Sequence, residues 1–341
     1  MKMLRFIIFL VVAIQLQVLA QQDPRFTLFN YNYAIINPAA VGSKEKLSLV
    51  VLHRQQWVGF SGGAPHTSTL SLDMPVFKLR SAVGMNFMND NHGILQHNAV
   101  GFSYAVIAHT AEYGRLSTGI NLTVNQLRSN FDAIQTDPTN SNLASDPNFN
   151  YGRNTTTYSP SASWGIYYYD RVFKFGLSFP FYQGFSYYGA PSRGLKVPHA
   201  IVTTGINLIL NDKINYNPRV LFKATANAPF QVEIYNQFIF GRNLACGFTL
   251  RSGESVSGII SYTFHPQLNM SYSYDVVALN QLRGTQHGSH EIGLNYVFQF
   301  PKYNQQQKVL RIKRKYECID FDHPKKKWLF KEIEDIFYDR N

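Results

Sequence analysis

Ten histidines are the side chains best able to hold a metal or move a proton, and their spacing decides whether they do. His92 and His97 share one predicted hairpin, while His287 and His290 stand beside Glu291 at the head of the last predicted strand. A zinc site draws its ligands at short fixed offsets that converge on one face, and neither set has them. Asp137 and Asp146 lie in one polar stretch that lacks the ligand spacing of a calcium loop. No glycine-rich phosphate loop and no Gly-x-Ser-x-Gly elbow occurs, and no Ser, His and carboxylate set is marked out as a hydrolytic triad. The sequence predicts no catalytic residue, no metal and no cofactor, hence a protein that is not an enzyme. The two cysteines, Cys246 and Cys318, make no disulfide framework. They fall on a predicted strand and in a C-terminal tail, and are expected not to pair.

With little chemistry to position, the elements themselves carry the information. Lys2 and Arg5 precede an apolar stretch, Phe6 to Leu19, interrupted only by Gln15 and Gln17, and Val18-Leu19-Ala20 supplies a small-residue cleavage site. Residues 1–20 are therefore predicted to be a secretory signal peptide, and Gln21 in place of a cysteine argues against a lipid-modified N-terminus. Nothing after the leader approaches the run of about 18 apolar residues that a spanning helix needs. Aromatic residues make up 15% of the chain and charged residues 16%, with a mean hydropathy of −0.18. That balance is odd for a water-soluble domain, but it suits a barrel whose strands show one face to lipid and the other to a polar interior. The net charge of +11 and pI near 9.5 raise the question of nucleic acid. An exported chain without a basic and aromatic recognition motif excludes it, leaving anionic glycolipid or acidic protein as partners.

Alternation then fixes the fold class. Leu116, Thr118, Ile120, Leu122 and Val124 interleave with Arg115, Ser117, Gly119, Asn121, Thr123 and Asn125, so a strand here has one apolar and one polar side. About fourteen such segments follow one another, centred near residues 51, 70, 84, 100, 119, 163, 179, 205, 220, 234, 247, 260, 272 and 294. A β-sandwich also alternates, yet its solvated face carries more Lys and Glu. Here that face is Ser, Asn, Gly and Gln, and Tyr and Phe gather at segment ends like interfacial girdles. The expectation is an all-β transmembrane antiparallel barrel of about 14 strands with a short periplasmic C-terminal extension. The chain divides into the leader 1–20, an N-terminal periplasmic segment 21–45, an outer-membrane barrel 46–300 and a basic periplasmic tail 301–341. An even strand count puts both barrel ends in the periplasm and the polar loops near residues 143 and 193 outside.

One region is more specific. Gln22-Asp23-Pro24-Arg25-Phe26 leads through Asn30, Tyr31 and Tyr33 to Ile36-Asn37-Pro38-Ala39-Ala40-Val41-Gly42-Ser43. Arg54-Gln55-Gln56-Trp57-Val58-Gly59-Phe60 follows, then Gly63-Ala64-Pro65-His66-Thr67 and a strand reaching Pro75. This combination resembles the PorP/SprF family of the Bacteroidetes type IX secretion system. Asn37, Pro38, Gly42, Arg54, Gln56, Trp57, Gly59, Phe60 and Pro65 carry the resemblance. Their physical reading is structural: turns that lead into and close the first hairpin, with Arg54 able to pair inside the barrel mouth and Trp57 able to sit at a membrane interface. The resemblance implies an outer-membrane component that supports export or surface anchoring of adhesins bearing a C-terminal signal, working with periplasmic lipoprotein or peptidoglycan-binding partners and, in some members, in gliding motility. The rival reading is a passive channel or hydrophobic-substrate transporter, since such a barrel can enclose a lumen. Lys325, Lys326, Lys327, Trp328 and Phe330, in a tail with helical apolar spacing, are the candidate partner-docking residues.

Overall fold

The computed structural model describes residues 25–60, 63–110, 114–130, 155–182, 199–225, 228–253, 255–277 and 287–299. The predicted leader, the loops near residues 143 and 193, Cys318 and the candidate docking residues Lys325, Lys326, Lys327, Trp328 and Phe330 lie outside them.

Strand follows strand, each paired antiparallel with its neighbours. They are β1 (Ser48–Gln55), β2 (His66–Val76), β3 (Ser81–His92), β4 (Leu95–His109) and β5 (Arg115–Ser129); then β6 (Thr155–Tyr169), β7 (Phe173–Tyr182), β8 (His199–Ile206), β9 (Leu208–Asn211) and β10 (Ile214–Thr225); and β11 (Ala228–Phe240), β12 (Leu244–Arg251), β13 (Ser255–His265), β14 (Leu268–Val277) and β15 (Ser289–Val297). Strands β8 and β9 both pair with β10 and form one stave broken at Asn207, so the fifteen segments make fourteen staves. The sheet closes because β1 pairs with β15, Ser48 opposite Val297, and β10 pairs with β11. Each centre read from the alternation falls on a stave.

The faces are inverted relative to a soluble protein. On β5, Leu116, Ile120, Leu122 and Val124 are exposed on the outside, with Leu122 at 62%, while Ser117 and Asn125 are buried inside. The same holds for exposed Phe102, Trp164, Phe248, Ile260, Met270 and Ile292 against buried Ser103, Thr249, Ser257, Ser271 and Glu291. An aqueous solvent would drive those apolar side chains inward, so the outer face is built for lipid. Aromatic side chains stand outward near both strand ends: Tyr158, Phe230 and Tyr274 towards one, Phe173, Phe240 and Phe264 towards the other. Closure satisfies the backbone without water, the condition for crossing hydrocarbon with strands. No helix among the described residues is long and apolar enough to cross a membrane.

The ring has two unlike ends. At the end where β1 begins and β15 finishes, the links are short, such as Asp212-Lys213 between β9 and β10 and Pro266-Gln267 between β13 and β14. At the other end lie the connections 56–65, 130–154, 183–198 and 278–288.

Charge placed on the outer face is expected to be costly. Leu122→Arg should lower unfolding stability in lipid vesicles by about 2–4 kcal/mol, the cost of a cation near the bilayer midplane, whereas Leu122→Ile should stay near the parent in the same urea titration.

Candidate functional site

The interior is where this chain departs from a bare tube. Residues 21–45 were expected to lie ahead of the barrel in the periplasm. The described part, from Arg25, instead runs through the lumen, because its apolar and hydrogen-bonding groups find partners on nearly every stave. Phe26, Leu28 and Phe29 are buried against Val50, Leu52, Leu221, Tyr235 and Ile259, and Ala39 and Ala40 against Tyr167 and Tyr169. Burying a large apolar side chain contributes about 1.5–3 kcal/mol, so this contact alone holds the segment firmly.

At the long-loop end the segment is held by charge. Glu291 on β15 accepts the backbone N–H of Thr27 at 2.8 Å and of Leu28 at 3.0 Å, one on each carboxylate oxygen. Arg54 on β1 donates to Glu291 at 3.0 Å, to Asp275 on β14 at 2.6 Å and to the Thr27 hydroxyl at 3.1 Å. Arg251 at the end of β12 reaches Glu233 on β11, Nε to Oε1 3.0 Å, and donates to the Thr27 hydroxyl at 3.3 Å. The Thr27 hydroxyl in turn donates to Asp275 at 3.0 Å. All five charged side chains are buried, Glu291 completely. Removing carboxylates and guanidiniums from water costs several kcal/mol per ion and is tolerated only when every charge is paired and hydrogen-bonded. The hydroxyl, two amides and two cations around three carboxylates meet that demand.

Lower down, a slot of glycines receives the Asn37-Pro38 pair. The Asn37 side chain accepts the Ala39 N–H at 2.9 Å, capping the turn Pro38–Ala40, and donates to the carbonyls of Ile166 at 3.0 Å and Leu177 at 3.3 Å. Gly119 on β5 and Gly165 on β6 stand opposite each other in the register. A Cβ on Gly165 would sit 2.2 Å from Asn37 Oδ1, and one on Gly119 2.7 Å from the Pro38 carbonyl oxygen; the wall is glycine where the Asn37 side chain and the Pro38 backbone press against it. Further along, Arg219 donates to Tyr33 Oη at 3.0 Å and Gln237 to Tyr31 Oη at 2.6 Å.

At the short-turn end, Gly42 has φ +74°, a conformation that favours glycine, and its N–H donates to Asp73 at 3.0 Å. Lys44 Nζ donates to the Tyr31 carbonyl at 3.1 Å. Glu45 pairs with Arg115, and the chain then enters β1.

The residues singled out by resemblance thus form two groups. Asn37, Pro38, Gly42 and Arg54 all lie inside the lumen, at separate levels: Arg54 at the long-loop end, Gly42 at the short-turn end and Asn37-Pro38 at the glycine slot. Gln56, Trp57, Gly59, Phe60 and Pro65 build the β1–β2 loop: Gln56 N–H donates to the Pro65 carbonyl at 2.8 Å, Trp57 N–H to Ser289 Oγ at 3.2 Å, Val58 N–H to the Gly288 carbonyl at 2.9 Å, and the Val58 carbonyl accepts the His287 N–H at 2.7 Å. Trp57 has φ +50° and packs its ring 6.4 Å from that of Phe60, and Gly59, φ +88°, lies against His287. The alternation did not single out Thr27, Glu233, Arg251, Asp275, Glu291, Gly119 or Gly165. A signal was present: in a chain with 16% charge, those charges sit on polar strand faces at one level near the strand ends. The histidines have other partners: His97 Nε2 lies 3.0 Å from Asn125 Oδ1, His290 Nδ1 2.7 Å from Tyr272 Oη, and His92 meets Asp90. Among the described residues no group of acidic, His and Cys side chains has metal-site geometry.

Between the segment and staves β3 to β11 remains a cavity of about 180 Å³. Phe26, Phe29, Ile35 and Ile36 form its apolar side, and Asn86, Asn121, Asn125, Ser161 and Ser163 its polar side.

Arg54→Met should destabilise the barrel by about 3–5 kcal/mol, because Glu291 and Asp275 keep their buried charge without its partner. Urea unfolding in vesicles reads this, and Arg54→Met combined with Glu291→Gln and Asp275→Asn should recover part of the loss.

Comparison with solved structures finds barrels. The toluene transporter TbuX of Ralstonia pickettii is 12% identical with a TM-score of 0.46, covering 78% of this chain and 93% of its own. A Pseudomonas aeruginosa FadL homologue is 12% identical with a TM-score of 0.43, covering 79% and 94%. The Acinetobacter baumannii outer membrane protein Omp33 is 9% identical with a TM-score of 0.43, covering 74% and 99%. Comparison with curated proteins gives no match. The family model described as type IX secretion system membrane protein PorP/SprF matches residues 18–296, which takes in the lumen segment, the clasp that holds it and the staves almost to the end of β15. The chain is an outer-membrane β-barrel and belongs to the PorP/SprF family of the type IX secretion system.

Proposed function

We propose that this protein serves type IX secretion as a closed, non-enzymatic barrel that holds partners at the outer membrane. In this reading it supports the export or surface anchoring of adhesins with a C-terminal signal. It acts after removal of residues 1–20, with the end bearing Ser48 and Val297 facing the periplasm. The observation that carries the reading is the lumen segment. A wall that commits Glu291, Asp275, Arg54 and Arg251 to its own Thr27 and Leu28 is built to keep the bore filled rather than to pass solutes. The basic tail 301–341, with Lys325, Lys326, Lys327, Trp328 and Phe330, is the proposed dock for a periplasmic lipoprotein or peptidoglycan-binding partner, given its charge and apolar spacing.

The rival, a passive channel, requires a bore that conducts without rearrangement. In planar bilayers the full-length barrel should give no stepwise conductance, while Gly165→Leu, which drives Asn37 off the wall, should open measurable steps. Steady conductance from the parent protein would favour the channel. On the cellular side, loss of the gene should remove adhesins from the surface without lowering their synthesis. Deletion of residues 302–341 should abolish co-purification of the periplasmic partner from mild detergent; unchanged co-purification would remove the docking role.

A further inference from the structure

A second cluster of charge lies in the lumen towards the short-turn end, and unlike the clasp it is not balanced. Register sets out its floor. Tyr169 on β6 stands opposite Lys174 on β7, Lys174 opposite Gly205 on β8, and Gly205 opposite Arg219 on β10, so the four face the bore in one row. The two cations spring from staves roughly 10 Å apart, and the glycine leaves a gap between them. Arg219 leans into that gap: a Cβ on Gly205 would sit 2.9 Å from Arg219 Cγ. Its guanidinium donates to the Tyr33 hydroxyl at 3.0 Å and lies 5.5 Å from the centre of that ring. Tyr33 in turn lies 5.9 Å from the ring of Tyr167, which stacks 5.5 Å from Tyr169. The circuit thus returns to the stave where it began, with Tyr33 bridging its two arms above Lys174 and Gly205.

The unused groups of this box can all donate. Arg219 Nε, Tyr169 Oη and Thr203 Oγ1, the last two residues before Gly205 on the same face, are buried without a hydrogen-bond partner, on side chains no more than 7% exposed. Lys174 is half-buried, and among the described residues no hydrogen bond or ion pair engages its ammonium. The charges within its electrostatic reach are Arg219 and Lys44, both cations. The neighbouring carboxylates are committed elsewhere, Glu45 to Arg115 and Asp73 to Gly42 and Ser48. Orphaned buried donors and unpaired cations cost stability unless an acceptor completes them. The acceptor this set demands is small, carries several oxygens and bears about the two charges of Lys174 and Arg219. We propose that the row Tyr169, Lys174, Gly205 and Arg219, with Thr203 beside it, is an oxyanion site that takes a phosphate group. Lys174 Nζ and Arg219 Nε meet its charged oxygens, and the hydroxyls of Tyr169 and Thr203 supply neutral donors. Because Arg219 also holds Tyr33, filling the site tightens the seat of the lumen segment. The site stands apart from the clasp and does not depend on the secretion role.

The test follows the urea midpoint of the full-length barrel in mild detergent as inorganic phosphate replaces chloride at constant ionic strength. The midpoint should rise and then saturate, since an anion bound only by the folded barrel stabilises it. Lys174→Met should raise the midpoint in chloride, because an unpaired cation leaves the lumen, and should abolish the response to phosphate. Thr203→Val should weaken that response, and Lys213→Met, in an exposed turn, should leave it unchanged. A water-soluble short-chain phosphatidic acid separates the sources of the group. Saturation at lower concentration than inorganic phosphate assigns the site to a lipid headgroup, and saturation by inorganic phosphate alone assigns it to the free ion; either upholds it. No shift of the parent with either anion would overturn the proposal. So would a Lys174→Met barrel that is less stable in chloride or keeps the parent's response, because the lysine would then be a structural part of the wall.

Discussion

Glu291 has no contact with solvent, and both of its oxygens are committed to successive backbone N–H groups, those of Thr27 and Leu28. Arg54 lies against that carboxylate at 3.0 Å. Arg54 in turn needs Asp275, and Asp275 is shared with Thr27 and approached by Arg251 at 3.8 Å. The cluster is therefore a constraint as much as an attraction: remove the lumen segment and the wall holds three carboxylates and two guanidiniums in a bore that then has to be hydrated. Folding of the strands and seating of the segment become one event, because neither leaves a satisfied interior without the other.

That coupling explains the unlike treatment of the two faces of the wall. Outside, the requirement is only apolarity and an aromatic margin, and many side chains meet it interchangeably. Inside, the requirement is stereochemical. Glycines occur where the segment presses closest on the staves, Gly119 under the Pro38 backbone and Gly165 under the Asn37 side chain, and a hydroxyl occurs where an acceptor has to be matched, as at Ser178, which donates to the Ile36 carbonyl at 2.9 Å. The inner face is more exacting than the outer, and the sequence features that distinguish this chain from a generic barrel, Asn37-Pro38, Gly42 and Arg54, all report on it.

The staves were legible because a strand writes its two faces as a two-residue rhythm within a few positions of itself. Leu116 to Val124 and Leu244 to Leu250 declare their outer face without reference to anything else. The lumen segment has no such period: a 3₁₀ turn at Phe29–Tyr31, one helical turn at Tyr33–Ile36 and another 3₁₀ turn at Pro38–Ala40. Its partners are remote, Thr27 lying 248 residues from Asp275 and Asn37 lying 140 from Leu177. Nothing local in residues 25–45 says whether the segment lies outside a barrel or inside it. Only the charges on the polar faces of β1, β11, β12, β14 and β15, gathered by closure to one level, hold that information, and closure is a property of the whole chain.

Hydrogen exchange on the intact barrel in lipid vesicles measures the central claim directly, that the lumen segment is part of the folded wall. The account predicts that the amides of Thr27 and Leu28, bound to a fully buried carboxylate, exchange as slowly as those of β1 and β15, since they open only when the barrel does. Exchange of a peptide spanning residues 25–36 at the rate of an unfolded chain, with the strands still protected, would contradict it.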